Sequence, residues 1–254
     1  MLNICSFSVT GDNFDPDYVK INPNGTVPSL TSDMLAEPLI DSADILEYLD
    51  SLRPEATPLF SKDPEQLRRV KALIAHVHQP QLSTNLILLQ ARDDAELEAK
   101  KASFWNDFIG NRQEKLVRYS SSHPEIPLYA SRVASNGALY NVYTAKEGGF
   151  EREHFFAATI RGYEVFAAGL DALDSMLILP YAVGDKVTAA DLHIVPWLAH
   201  ALWGAGGVEV EDFGPLQTLI RKSVPGFEFG EKTRAWWKNV SATESFRRIY
   251  PYLH

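Results

Sequence analysis

The stretch 20-KINPNGTVPSL-30 decides how this chain folds: two prolines and a glycine stand directly before an apolar run. An X-Pro bond reaches the cis form at a cost of only about 0.5–1 kcal/mol. A cis bond before Pro28 would turn the Val27 N–H and C=O outward, where an extended peptide could pair with them as an added strand. A trans proline opening an edge strand is the other reading, and the commoner one for such a motif taken alone.

Working outward, LNICSFSV (residues 2–9) reads as a strand and Asp15-Pro16 as the opening of a short helix. TVPSLTS and AEPLIDS read as a second and a third strand, joined tightly near Ser32-Asp33. From Ser42 the period changes, and Ile45, Leu46, Leu49 and Leu52 form a helical stripe that Arg53-Pro54 ends. The segment 53–66 carries three prolines and little periodicity, which places a domain boundary there. The remainder reads as helices over Leu67–Gln90, Asp94–Tyr119 and Phe150–Met176, with a less regular insertion at 120–149. The expected domains are 1–55, a small α/β unit, and 63–254, a helical bundle.

Composition narrows the class. The chain has 254 residues, 45% of them hydrophobic, enough for a sizeable core. A net charge of −9 argues against nucleic acid as a partner, because phosphates need a basic face. Cys5 is the single cysteine, so no intramolecular disulfide forms and a reducing, cytoplasmic compartment is expected. No apolar run is long enough to span a membrane, and the first residues lack the features of a signal peptide.

Two further motifs join the first. Asp41-Ser42 precedes the striped helix; Ser42 is well placed as its N-cap, and the free N–H groups there attract an anion. Simple capping is the plainer reading. In GDKVTAADL (Gly184–Leu192), Thr188 and Asp191 make a capping box that fixes a core helix and carries no chemistry.

Taken in order, DPDYVKINPNGTVPSL, LIDSADILEYL and VGDKVTAADLHIVPWL resemble the glutathione transferase family along most of the chain. The resemblance implies a thioredoxin-like N-terminal domain followed by an all-α C-terminal domain, glutathione as ligand, and a homodimer. By position, Val27 before Pro28 would pair with the cysteinyl backbone of glutathione, and Asp41 and Ser42 would hold its γ-glutamyl end. Thr26 stands where a further polar contact is usual. Asn13 stands where the family often places a basic residue against the glycyl carboxylate. The strand and helix that open the family's domain find no room here: a βαβ unit needs about 30 residues, and 27 precede Pro28. Either the fold is shortened or the natural start lies upstream. No residue matches the family's activating hydroxyl or thiol; Cys5, Ser6 and Ser8 are the nearest in sequence.

In such transferases the acceptor lies against the first long helix of the second domain, whose polar interruptions here are Lys71, His76, His78 and Asn85. His76 and His78 face different sides of a helix, and no metal site is expected. Tyr129, Tyr140 and Tyr143 could roof an apolar pocket, and Trp236-Trp237 reads as helix packing. The expected activity is conjugation of glutathione to a hydrophobic electrophile, or glutathione-assisted cis/trans isomerisation of a conjugated olefin, with natural-product chemistry as one setting. A non-catalytic assembly or regulatory module of the same fold is the alternative.

Overall fold

The computed structural model describes residues 11–53, 56–146 and 148–252. The strand expected over 2–9, with Cys5, Ser6 and Ser8, lies outside them. The first helices in chain order are α1 Pro16–Ile21, α2 Ser42–Ser51, α3 Pro64–Val77, α4 Asn85–Leu89, α5 Asp94–Lys101 and α6 Phe104–Ser122. After them come α7 Pro127–Thr144, α8 Phe150–Met176, α9 Ala189–Gly204, α10 Gly214–Arg221, α11 Glu231–Ser241 and α12 Glu244–Ile249. None of these is long and apolar enough to cross a membrane.

The second and third strands are not formed as strands. The segments meet in a single antiparallel pair, Leu30 with Leu39, each donating its N–H to the other's carbonyl at 2.8 and 2.9 Å. In an antiparallel ladder the next doubly bonded pair would be Pro28 with Asp41. Pro28 has no N–H to give, so pairing stops there.

Proline also breaks the first long helix expected in the second domain. Pro80 cannot continue a helical ladder, and α3 ends at Val77, followed by a 3-10 turn over Pro80–Leu82 and the short α4. The helix expected over Asp94–Tyr119 divides where the Ser103 hydroxyl accepts from the Trp105 N–H and starts α6 anew. The insertion at 120–149 is more regular than its sequence suggests, since most of it is α7. The helix over Phe150–Met176 is continuous, as its periodicity predicts.

The chain divides into two compact units at different places from the sequence domains. One unit gathers Met1–Ile45 with Ala91–Phe156. Its described core holds Phe14, Val19, Leu116 and Tyr129, flanked by Tyr119, Ile126, Leu128 and Val133. Phe14 and Val19 come from the segment before the prolines, whereas the other core residues come from α6, α7 and the turn between them. This burial explains why 91–156 belongs with the N-terminal segment.

Tyr129 is completely buried and donates its hydroxyl to the Phe14 carbonyl at 2.9 Å. Burial, then the nearby Tyr119, Asp15 and Glu125, push its pKa up to about 12, and burial likewise raises that of Tyr143. A phenol whose folded pKa exceeds its unfolded value of about 10 adds stability that is fully present below that pH and is lost as pH rises through the folded value. Spectrophotometric titration should therefore show a late-ionising class of tyrosines, with stability falling from about pH 10 upward. Tyr129→Phe should shrink that class and cost about 1–2 kcal/mol in denaturant unfolding, because the Phe14 carbonyl loses its partner.

The other unit gathers Leu46–Gln90 with Ala157–His254. Here α3 packs on α9, burying Val70, Leu73, Ile74 and Val77 with Ile194, Leu198 and Leu202. The capping box opens α9 as expected, and Asp191 is completely buried. One Asp191 oxygen accepts from the Ala182 N–H and Trp236 Nε1, both at 2.8 Å. The other accepts from the Thr188 N–H at 2.8 Å and its hydroxyl at 3.0 Å. Trp236 and Trp237 are wholly buried in α11, in keeping with packing.

Candidate functional site

The turn before Pro28 is built by side chains that seize its carbonyls. Asp15 caps α1 by accepting from the Asp17 N–H at 2.9 Å, with Pro16 in the first turn where its missing N–H costs nothing. Asn22 follows α1 and is completely buried. Its Oδ1 accepts from the Asn24 N–H at 3.0 Å, an Asx turn, and its Nδ2 donates to the Thr26 carbonyl at 2.7 Å. The Tyr18 hydroxyl donates to the same carbonyl and meets the Ser29 hydroxyl at 2.9 Å. Asn13 Nδ2 donates to the Gly25 carbonyl at 2.6 Å.

Gly25 occupies the left-handed region, φ 59°, and a Cβ there would stand 3.0 Å from Leu128 and 3.2 Å from Phe14. Only glycine meets both demands. From α7, Arg132 donates to the Asn24 carbonyl at 3.3 Å. The insertion thus braces the turn from below.

What remains exposed is Val27. Its bond to Pro28 is cis, and the residue keeps 47% of its surface accessible. Its N–H and C=O form no hydrogen bond with any described residue. The Leu30–Leu39 pair joins the segment that carries Val27 to the one that leads into Ser42.

At α2 the capping assignment changes. Asp41, not Ser42, is the cap: its Oδ1 accepts from the Ala43 N–H at 2.8 Å and its carbonyl from the Ile45 N–H at 3.0 Å. A carboxylate one residue earlier reaches the first turn, so the helix starts at Ser42. The Ser42 hydroxyl and amide form no hydrogen bond with any described residue.

Of the predicted site residues, Val27 and Ser42 offer unpaired groups, whereas Thr26 gives its carbonyl and Asn13 one amide N–H to the turn. Asn22, Tyr18 and Ser29, which shape the turn, were not singled out in the sequence. The doubled Asn of NPN, a recurrent Asx-turn former, was the available signal.

In the other unit, Lys71 pairs with Glu47 at 3.5 Å, both exposed. The His76 Nε2 meets the Gly169 carbonyl at 2.8 Å and ties α3 to α8. The His78 Nε2 lies 3.0 Å from His193 Nδ1. The His200 Nδ1 meets the Thr84 hydroxyl at 2.8 Å, and burial lowers its pKa, keeping the ring neutral at pH 7. Asn85, one of the four polar interruptions of the expected helix, lines a cavity of about 450 Å³ with Gln81, Gln90, Arg161 and the apolar Leu86 and Val165.

Residues 4–57, which contain the turn and Ser42, match the glutathione S-transferase N-terminal domain. Over that region the chain is similar to the glutathione S-transferases. Over 53 residues it is 47% identical to glutathione S-transferase Z1 of Arabidopsis thaliana, a match covering 21% of this chain and 23% of that protein. Over 247 residues it is 26% identical to maleylacetoacetate isomerase maiA of Aspergillus fumigatus, covering 93% of this chain and 80% of that protein. The described residues are mostly helical, and among them the N-terminal segments pair in one bridge.

Proposed function

We propose that this chain is a glutathione-dependent enzyme acting on a hydrophobic electrophile, and that its reaction is cis/trans isomerisation of a conjugated olefin or conjugation to it. One observation carries the reading: a main-chain N–H and C=O at Val27 have no hydrogen-bond partner among the described residues, beside a network that occupies the neighbouring carbonyls. That is what an extended peptide needs for strand-like pairing. Val27 would bind the cysteinyl backbone, and Ser42 with the α2 N-terminus the γ-glutamyl carboxylate. Bound glutathione supplies a thiolate that adds to the olefin and either stays, as a thioether, or leaves after the single bond has turned. The positive end of α2 and the Val27 amide would favour the thiolate over the thiol. The isomerase name of the Aspergillus relative, matched along most of this chain, supports the isomerising version. A homodimer and a thioredoxin-like N-terminal domain belong to the same reading.

Incubating the protein and maleylacetoacetate with and without glutathione tests it. An isomer of unchanged mass, formed only with glutathione, marks isomerisation, and a product heavier by one glutathione marks conjugation. Absence of both, with no heat of glutathione binding at millimolar concentration, would favour the non-catalytic alternative. Ser42→Ala should weaken glutathione binding about tenfold, by the value of a hydrogen bond to a charged group. The change should appear in the KM for glutathione and leave the unfolding midpoint in place.

A further inference from the structure

A cavity of about 340 Å³ lies between the first half of α3, the end of α8 and the first turn of α11. Three cations wall it, Arg68 and Arg69 from α3 and Lys232 from α11, and no carboxylate is among its described lining residues. The chain as a whole is acidic, net charge −9, so this gathering of positive charge runs against its average. Leu73, Met176, Leu177 and Ile178 supply an apolar wall beside the cations.

The cations keep donors in reserve. Among the described residues Glu65 is the one carboxylate that pairs with them, taking Nε and one amino nitrogen of Arg68 and Nε of Arg69. All three side chains are about half exposed or more, so these pairs hold weakly. The two amino nitrogens of Arg69 form no hydrogen bond with any described residue. Lys232 Nζ donates to the Leu177 carbonyl at 3.1 Å and stands 3.5 Å from that of Ser175. It thereby covers the negative end of α8, which would otherwise repel an anion, and retains a third proton. Asp174, next along the chain, is engaged by the Thr233 amide at 2.7 Å and hydroxyl at 2.9 Å.

Three cations less Glu65 leave two positive charges. A monocarboxylate balances one of them, whereas a phosphate monoester carries about −1.5 to −2 at neutral pH. Its oxygens also suit a planar guanidinium fork and a compact ammonium together.

We propose that this cavity binds a phosphate monoester with an apolar body. Arg69 and Lys232 receive the phosphate, Arg68 adds charge, and Leu73, Met176 and Ile178 take the organic part. Every residue involved belongs to the unit of Leu46–Gln90 with Ala157–His254, so the site is tested without glutathione.

Calorimetric titration of the full chain in chloride buffer compares phenyl phosphate, inorganic phosphate and benzoate. Phenyl phosphate should bind about tenfold or more tightly than either of the others, since each of them lacks one half of the match. Arg69→Gln/Lys232→Gln should weaken phenyl phosphate by about tenfold or more. Ile178→Glu, which sets a carboxylate at a position already 39% exposed, should do the same while leaving every cation in place. Circular dichroism establishes that each variant is folded; should the double variant fail to fold, Ile178→Glu decides. No heat with wild type and phenyl phosphate overturns the proposal, as does a folded variant of either kind that binds it undiminished. Equal affinity for inorganic phosphate would mean an adventitious ion only, and equal affinity for benzoate would remove the phosphate assignment; either result overturns it.

Discussion

Asp191→Ala is expected to remove about 3–5 kcal/mol of stability, the cost of breaking a buried charged network. Four donors meet this carboxylate: the Ala182 and Thr188 amides, the Thr188 hydroxyl and the Trp236 indole. Each donor left buried and unpaired costs about 1–3 kcal/mol, so relaxation will recover only part of the loss. Against a total stability of about 5–15 kcal/mol, such a variant would be only marginally folded. Denaturant unfolding followed by tryptophan fluorescence measures the loss. Asp191→Asn, which keeps the shape but turns one acceptor into a donor, should fall between alanine and the wild type. An alanine variant within about 0.5 kcal/mol of the wild type, the range of an ordinary surface change, would show that the carboxylate does not hold α9 and α11 together.

The second large effect belongs to the turn. Gly25→Ala places a Cβ in a left-handed conformation, at a cost of about 1–3 kcal/mol. It also crowds Leu128 at 3.0 Å, Phe14 at 3.2 Å and the Asn13 carbonyl at 3.3 Å. Backbone cannot yield as a side-chain tip can, so the turn should shift, and Val27 with it. The expected result is a loss of about 2–3 kcal/mol in denaturant unfolding together with at least a tenfold weaker affinity for glutathione by calorimetry. Gly226→Ala is the control: φ is also positive, 87°, but a Cβ there meets nothing within 4 Å. It should show the conformational penalty alone and leave binding unchanged. Equal stability losses for the two glycines would mean that contacts with α7 do not hold the turn.

What could be read in advance was local. Asp15-Pro16 carries both a cap and a first-turn proline, and α1 begins there. Thr188 and Asp191 form the capping box their spacing requires, and the helix expected over Phe150–Met176 has those same bounds. Val27-Pro28 is cis, as one of the two readings of that motif required.

Non-local packing was out of reach. Nothing in Leu128 or Tyr129 announces a partner more than a hundred residues away, yet Tyr129 closes over Phe14. Rivalry between neighbours was equally hidden. Asp41 and Ser42 are both good caps, and only the course of the chain gives the role to Asp41. Asn13 looked available to a ligand, but the Gly25 carbonyl stands within its reach. The short pairing at Leu30–Leu39 has a plain cause in the missing N–H of Pro28, and the interrupted helix a similar one in Pro80.

Amide spectroscopy on protein isotopically labelled at valine addresses Val27 itself. On titration with glutathione its amide resonance should shift downfield and saturate together with the calorimetric isotherm, as an N–H entering a new hydrogen bond does. Measurable heat of binding with the Val27 resonance unmoved would place the peptide elsewhere and contradict this site.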